Sequence, residues 1–132
     1  MRSQKRRVDA LRELEALFSE LPNLVDVVVI EGLRDVKALR SLGYQGRIEV
    51  LNRIGVNNFD LTDELATKYQ RILLLLDYDE AGLNLHHNFT KLLERKGVKV
   101  EYGLRKEVGR LMAAIGVYAI ESLDNIRNDL NK

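Results

Sequence analysis

Apolar residues repeat at two different periods along this chain. Over residues 3–21, Val8, Leu11, Leu14, Leu17, Phe18 and Leu21 fall at steps of three and four, which predicts an amphipathic helix. Pro22 and Asn23 predict its end. The period then collapses. Residues 24–30, "LVDVVVI", are β-branched and almost wholly apolar, the composition of a parallel strand covered on both faces. Residues 33–42 return to helical spacing, with Val36, Leu39 and Leu42 inward and Gly43 as the C-terminal cap.

The alternation repeats downstream. "RIEVL" (47–51) predicts a short strand, and a loop leads to a short helix over 62–69 for which Thr62 is the expected N-cap. "RILLLL" (71–76) predicts a second fully buried strand, residues 80–96 a helix ending at Gly97, and "VKVEYG" (98–103) a fourth strand. Residues 104–131 read as helix interrupted near Gly116. Strands alternating with helices at this spacing predict an α/β fold, a four-stranded parallel sheet between helical layers.

Two of the apolar runs end in acid and glycine. The first stops at Glu31 and Gly32, and the second at Asp77, Tyr78, Asp79, Glu80, Ala81 and Gly82. Parallel strands all end at one edge of their sheet, so these acids share a rim. For them to meet, strands 24–30 and 71–76 must be neighbours, which predicts the order 2-1-3-4. Residues two apart on an extended chain point the same way, so Asp77 and Asp79 project together. Carboxylates gathered in a low-dielectric crevice repel unless a cation neutralises them or one takes a proton. Oxygen-only ligands suit a hard ion, magnesium with manganese as a substitute. Taken singly, Asp79 also reads as a helix cap and Asp77 as a solvated strand end; the joint pattern carries the metal reading.

Composition changes this picture little. The chain has 132 residues, enough for one domain with a real core. It has no cysteine, so disulfides, thiol chemistry and thiolate metal sites are excluded. No apolar run is long enough to span a membrane and the N-terminal stretch has no signal-peptide apolar core, which gives a cytoplasmic expectation. The net charge is +1, but nucleic-acid binding depends on clustering rather than on the sum. Two clusters stand out. Arg2, Lys5, Arg6 and Arg7 occupy the first turn of the first helix, where cations oppose the macrodipole; a phosphate backbone or a solvated terminus accounts for them. Arg105, Lys106 and Arg110 follow the fourth strand and are expected on the acidic rim. No aromatic ladder is visible, and His86 and His87 come too far into their helix to share the acids' metal.

"VVIEGLRDVKAL" followed by "ILLLLDYDEAG" resembles the Toprim domain, shared by topoisomerases, bacterial-type primases, recombination-repair proteins, certain nucleases and the ribonucleases that mature 5S ribosomal RNA. The resemblance runs from residue 24 to about 122, and the compact length is most similar to the small stand-alone primase-like Toprim proteins of archaea. It implies a three-layer, Rossmann-like fold over a single domain, 1–132, with the helices at 3–21 and 104–131 flanking the core. It implies Glu31 as general acid/base or metal ligand and Asp77 and Asp79 as the metal pair. Asp35 and Glu80 are then supporting acids, each of which also reads as a first-turn acid favourable to the helix dipole. Glu121 is a further acid that reads either as part of the site or as an exposed helix residue.

The expected function is that of a magnesium-dependent, nucleic-acid-binding protein that processes phosphodiesters, with RNA preferred over DNA. Arg105, Lys106, Arg110, Arg6 and Arg7 are its expected phosphate contacts. The alternative is a catalytically quiet RNA-binding subunit of an RNA-processing or degradation complex. Primer synthesis and topoisomerase activity are not expected, because the zinc-ribbon cysteines and the additional domains of those enzymes have no counterpart in the chain. A response-regulator-like phosphoacceptor would need a lysine and a hydroxyl residue at later strand ends, which "VKVEYG" does not supply.

Overall fold

The hydrophobic pattern resolves into six helices and four strands in the computed structural model, which describes residues 4–52 and 55–130. In chain order these are α1 (Gln4–Leu24), β1 (Val27–Ile30), α2 (Leu33–Ser41), β2 (Ile48–Val50), α3 (Asn58–Lys68), β3 (Arg71–Leu74), α4 (Glu80–Arg95), β4 (Lys99–Val100), α5 (Tyr102–Ile115) and α6 (Ser122–Leu130). The strands form one parallel sheet in the order β2-β1-β3-β4, as the position of the acids predicts.

The all-apolar strands are buried on both faces. Val28, Ile30, Leu73 and Leu75 pack into a core with buried side chains of α1, α2, α5 and α6. Val27, Val29, Ile72, Leu74 and Leu76 point the other way, into a core closed by Leu61 and Leu65 of α3 and by Phe89 and Leu93 of α4. The result is a three-layer sandwich, and every residue of β1 is fully buried. At the lower edge the Asp26 carboxylate accepts N–H bonds from Gln70 and Arg71, both 2.9 Å, and so sets β3 beside β1.

Four local expectations are corrected. Pro22 does not end α1 but sits in its last turn, which runs to Leu24. The third helix begins at Asn58 rather than near 62, with Asn57 as its N-cap accepting from the Asp60 N–H at 2.8 Å. Thr62 is fully buried inside it, its hydroxyl donating to the Asn58 carbonyl at 2.7 Å. The fourth strand is only two residues long, because Tyr102 already opens α5.

That short strand creates a shortage. β3 continues as extended apolar chain to Leu76, while β4 stops at Val100, so the last β3 carbonyls have no strand to face. Buried carbonyls need a donor. Arg105 supplies it: one guanidinium nitrogen donates to the Leu74 and Leu76 carbonyls at 3.0 and 2.8 Å, and the other to the Asp77 carbonyl at 3.3 Å. A single side chain completes the sheet edge directly beneath the acidic rim.

One of the cations at the start of α1, Arg7, also finds a structural partner. α1 packs along α5, and the Arg7 guanidinium donates to the Ile115 carbonyl at the C-terminal end of α5 at 3.0 Å. A positive charge there complements the negative end of α5, which explains a residue that works against the dipole of its own helix. Arg2 lies outside the described residues.

Candidate functional site

The C-terminal rim of the sheet carries the acids. Glu31 ends β1 and Asp77 follows β3, and the neighbouring strands bring them together: the Asp77 N–H donates to Glu31 Oε1 at 3.3 Å. Asp77 Oδ1 in turn accepts the Ile120 N–H at 3.0 Å, which ties the loop between α5 and α6 to the rim. Asp79 is exposed and caps α4, its Oδ1 accepting from the Gly82 N–H at 2.8 Å. Asp35 reaches back from α2 to accept the Gly32 N–H at 3.2 Å, closing a turn around the end of β1. Glu80 is an exposed first-turn residue of α4.

The "DYD" motif works by alternation. While Asp77 and Asp79 face the rim, Tyr78 points into the protein and anchors it. Its ring stacks on the Arg105 guanidinium at 4.1 Å, and its hydroxyl donates to the Arg105 carbonyl at 2.7 Å. Gly109 makes room for that ring, since a Cβ there would lie 2.7 Å from Tyr78 Cε2. Gly82 performs the same service for the rim: a Cβ on it would collide with the Asp77 carbonyl.

Glu31, Asp35, Asp77 and Glu121 line one open cleft of about 630 Å³, together with Gly32, Leu33, Arg34, Leu51, Asn52, Asn58, Leu85 and Phe89. Its electrostatics are those of crowded carboxylates. Burial, then repulsion from Asp77 and Asp79, pushes Glu31 upward against the Asp77 N–H. Asp77 is raised by burial and by Asp79 and Glu121, with the Ile120 N–H and Arg105 opposing. Asp35, 6% exposed, is raised by burial and by the charges of Asp77, Glu121 and Glu31 to about 6. Arg105 is the buried counter-charge to the rim, and it lowers both Glu31 and Asp77.

Asp35 makes this crowding measurable. Its folded-state value of about 6 lies above the ordinary 3.8, so the folded protein holds this proton more tightly than the unfolded chain. The strain is absent below about pH 4, grows as pH rises through 6, and is complete above it. Asp35→Asn should therefore raise thermal stability at pH 7.5 by on the order of 2–3 kcal/mol and leave it unchanged at pH 4. Thermal unfolding of both proteins at the two pH values, without added metal, checks this; an equal difference at both would refute the charge argument.

Not every expected residue reaches the rim surface. Arg105 is only 3% exposed and its guanidinium is committed to three carbonyls, so it does not face solvent as the expected phosphate contact. Arg110 is exposed but pairs with Glu107 and Glu13, at 2.6 and 3.2 Å. Arg7 is held at the end of α5, and Arg6 is exposed on α1. Lys106 is exposed beside Tyr102, its ammonium 5.7 Å from the ring centroid. His86 is half-buried on α4, where burial lowers it to about 4 and keeps it neutral. The cleft cation that sequence reasoning passed over is Arg34, exposed in the first turn of α2. Its position two residues after the Glu31-Gly32 strand end was the available signal.

The donor set suits a hard divalent ion. It consists of carboxylates, and the described bonds to Glu31, Asp35, Asp77 and Asp79 each engage one oxygen and leave the second. Among the described residues no three ligating side chains already converge, so the acids form a rim of separate carboxylates rather than a finished cage. That arrangement still fits magnesium, which takes one or two protein carboxylates and keeps several waters. Among the described residues no helix is long and apolar enough to cross a membrane.

The chain is similar to known proteins. Similar chains are the archaeal "UPF0292 protein" of Thermococcus sibiricus, 33% identical over 112 residues (85% of this chain and 86% of that one), and its counterpart in Pyrococcus horikoshii, 30% identical over 112 residues (85% and 82%). A counterpart in Methanosarcina barkeri is 27% identical over 119 residues, covering 90% of this chain and 81% of that one. Among solved structures, a "putative protein from Aquifex aeolicus" superposes with a TM-score of 0.62 at 24% identity, covering 87% of this chain and 95% of that one, which shows the shared fold. The family description "Toprim domain" matches residues 26–102, the stretch from the start of β1 to the start of α5 that carries Glu31, Asp77 and Asp79. With the parallel 2-1-3-4 sheet and its acidic rim, this match identifies the chain as a member of the Toprim domain family.

Proposed function

We infer that this Toprim protein binds magnesium at Asp77, Asp79 and Glu31 and cleaves phosphodiester bonds of nucleic acid, RNA in preference to DNA. The observation that carries this reading is the juxtaposition of Glu31 and Asp77 across two neighbouring strands, joined by the Asp77 N–H and each pushed upward by burial and by surrounding acids. Crowded carboxylates of this kind are costly unless a cation is bound, and they are not needed to hold the sheet. Magnesium, when bound, neutralises the rim and polarises a phosphate oxygen.

The chain's own residues supply the rest. Asp77 is held from below by Arg105 and from the side by Ile120, so its outer oxygen is presented in a fixed place. Asp79 is oriented by its cap on α4, whose N-terminus adds partial positive charge for a phosphate. Glu31 engages Oε1 with the Asp77 N–H, leaving Oε2 to hold or move a proton. Among the described residues, exposed Arg34 lines the cleft and exposed Lys106 lies in α5 next to Arg105, and both are available for the phosphate-contact role expected of Arg105.

A second reading is a catalytically quiet RNA-binding subunit of a larger RNA-processing complex. The structural use of the acids favours it, since Glu31, Asp35, Asp77 and Asp79 each already accept a backbone N–H. Calorimetric titration with magnesium and manganese tests the metal assignment common to both. Wild type should bind with an affinity that Asp77→Asn with Asp79→Asn lowers at least about 10-fold, the effect of losing ligand charge. The double variant should unfold at an equal or higher temperature without metal, because repulsion is relieved. Equal binding by both proteins would overturn the assignment.

A further inference from the structure

The cleft is larger than a metal-bound phosphate requires, and its two ends differ in chemistry. One end holds Glu31, Asp35, Asp77 and Glu121. The other end, on the side of α3 and α4, is walled by half-buried Leu51 and Leu85, which pack over the buried Phe89, with the exposed side chains of Asn52 and Asn58 among the lining residues. Leu33, 80% exposed, forms an apolar lip in the first turn of α2. The acids themselves make no use of an apolar wall.

We propose that this second end is a base pocket, so that the cleft takes one unpaired nucleotide with its phosphate toward the acids and its base against Leu51 and Leu85. This rests on the metal–phosphate reading above and adds the substrate class to it: single-stranded ends or extruded bases, rather than intact duplex. The volume of about 630 Å³ lies within the range of small-ligand sites. A flat base gains by stacking on an apolar wall, and a side-chain amide offers both the donor and the acceptor needed by a Watson–Crick edge. In a duplex that edge is already paired and the base is stacked on its neighbours, so neither Asn52 nor Asn58 can reach it.

Charge gives the nucleotide its direction. Among the described residues lining the cleft, Arg34 is the one cation against four carboxylates. A phosphate therefore enters the acidic end only together with a divalent ion, whereas the amide and leucine end is neutral and suits the uncharged base. Asn52 is placed by the hydrogen bond of its own N–H to the Glu31 carbonyl, 2.9 Å, which extends the pairing of β2 with β1 right up to the acids. The pocket is thus built from the same strand ends as the metal rim.

The test is a titration of the whole protein, followed by NMR in saturating magnesium, with the four nucleoside 5′-monophosphates and with ribose 5-phosphate, which lacks the base. At least one nucleotide should bind about 10-fold or more tighter than ribose 5-phosphate, the scale of one stacked base. Asn52→Ala with Asn58→Ala should bring that nucleotide down toward the ribose 5-phosphate level without changing ribose 5-phosphate itself. Both side chains are exposed, so the unfolding temperature of the variant should match wild type. Equal affinity for nucleotide and ribose 5-phosphate, or a preference untouched by the double substitution, would overturn the base pocket while leaving the metal–phosphate reading in place. If neither ligand binds with magnesium, both readings fall together.

Discussion

Replacing Arg105 with alanine should lower the thermal unfolding midpoint by about 10–20 °C, corresponding to roughly 3–5 kcal/mol for a chain of this size. The guanidinium stands in for the missing continuation of β4, donating to the Leu74, Leu76 and Asp77 carbonyls and stacking on Tyr78. Deleting it leaves buried carbonyls without donors, each at a desolvation cost of about 1–3 kcal/mol where no water enters. Arg105→Met separates the causes, because methionine refills much of the volume and donates nothing. If hydrogen bonding dominates, the two variants should fall by similar amounts; if packing dominates, methionine should recover most of the loss. Both leave the Asp77 carbonyl without its support, which weakens metal binding, while loss of the buried positive charge by itself favours a cation. A fall under about 1 kcal/mol in both would mean that solvent satisfies those carbonyls and that the sheet edge is not held as described.

Much of this architecture was legible because parallel strands buried on both faces leave all-apolar runs. "LVDVVVI" and "RILLLL" announced the two central strands, and the acids at their ends set them side by side. Legibility failed where a residue's role depends on a distant partner. Arg105 stands in the basic string "LRKEVGR" and reads as surface charge, yet its partners are carbonyls on β3. Helical spacing held the clue: Arg105, Val108, Met112 and Ile115 follow at steps of three and four, and all four are buried. An arginine on an apolar stripe has the pattern of a buried donor. Tyr78 is a similar case, because the alternation that sends Asp77 and Asp79 to the rim sends the residue between them inward.

The start of α3 shows a different limit. Thr62 and Asn57 are both acceptable caps by residue type, and only the packing of Leu61 and Leu65 against β3 and α4 decides how early the helix begins. The base pocket was equally hidden. Asn52 and Asn58 are ordinary loop and helix-start residues until the 2-1-3-4 order brings the end of β2 next to Glu31. The absence of an aromatic ladder from the sequence argues against sequence-specific readout of single strands, and a pocket for one base, walled by Leu51 and Leu85, needs no ladder.

Glu31→Gln should separate an enzyme from a binding module. Glutamine keeps the side chain's length and its acceptor for the Asp77 N–H, so the local fold should persist. What it loses is the ability to take and release a proton, and one negative charge beside Asp77 and Asp79. If Glu31 moves a proton during phosphodiester cleavage, the rate should drop roughly 100-fold or more, the usual scale for removing a general acid or base. Affinity for RNA should be retained or rise slightly, because the rim repels phosphate less. The pH profile of wild-type cleavage gives a second readout: the limb that reports Glu31 should disappear in the glutamine variant. Gel-shift affinity and cleavage of labelled RNA, measured on one preparation with magnesium and with manganese, decide between the two readings. Lost cleavage at retained affinity places Glu31 in the chemistry. Wild-type protein that binds structured and unstructured RNA yet cuts neither with either metal would instead make the acidic rim a metal-bridged docking surface, and this Toprim domain an RNA-binding subunit.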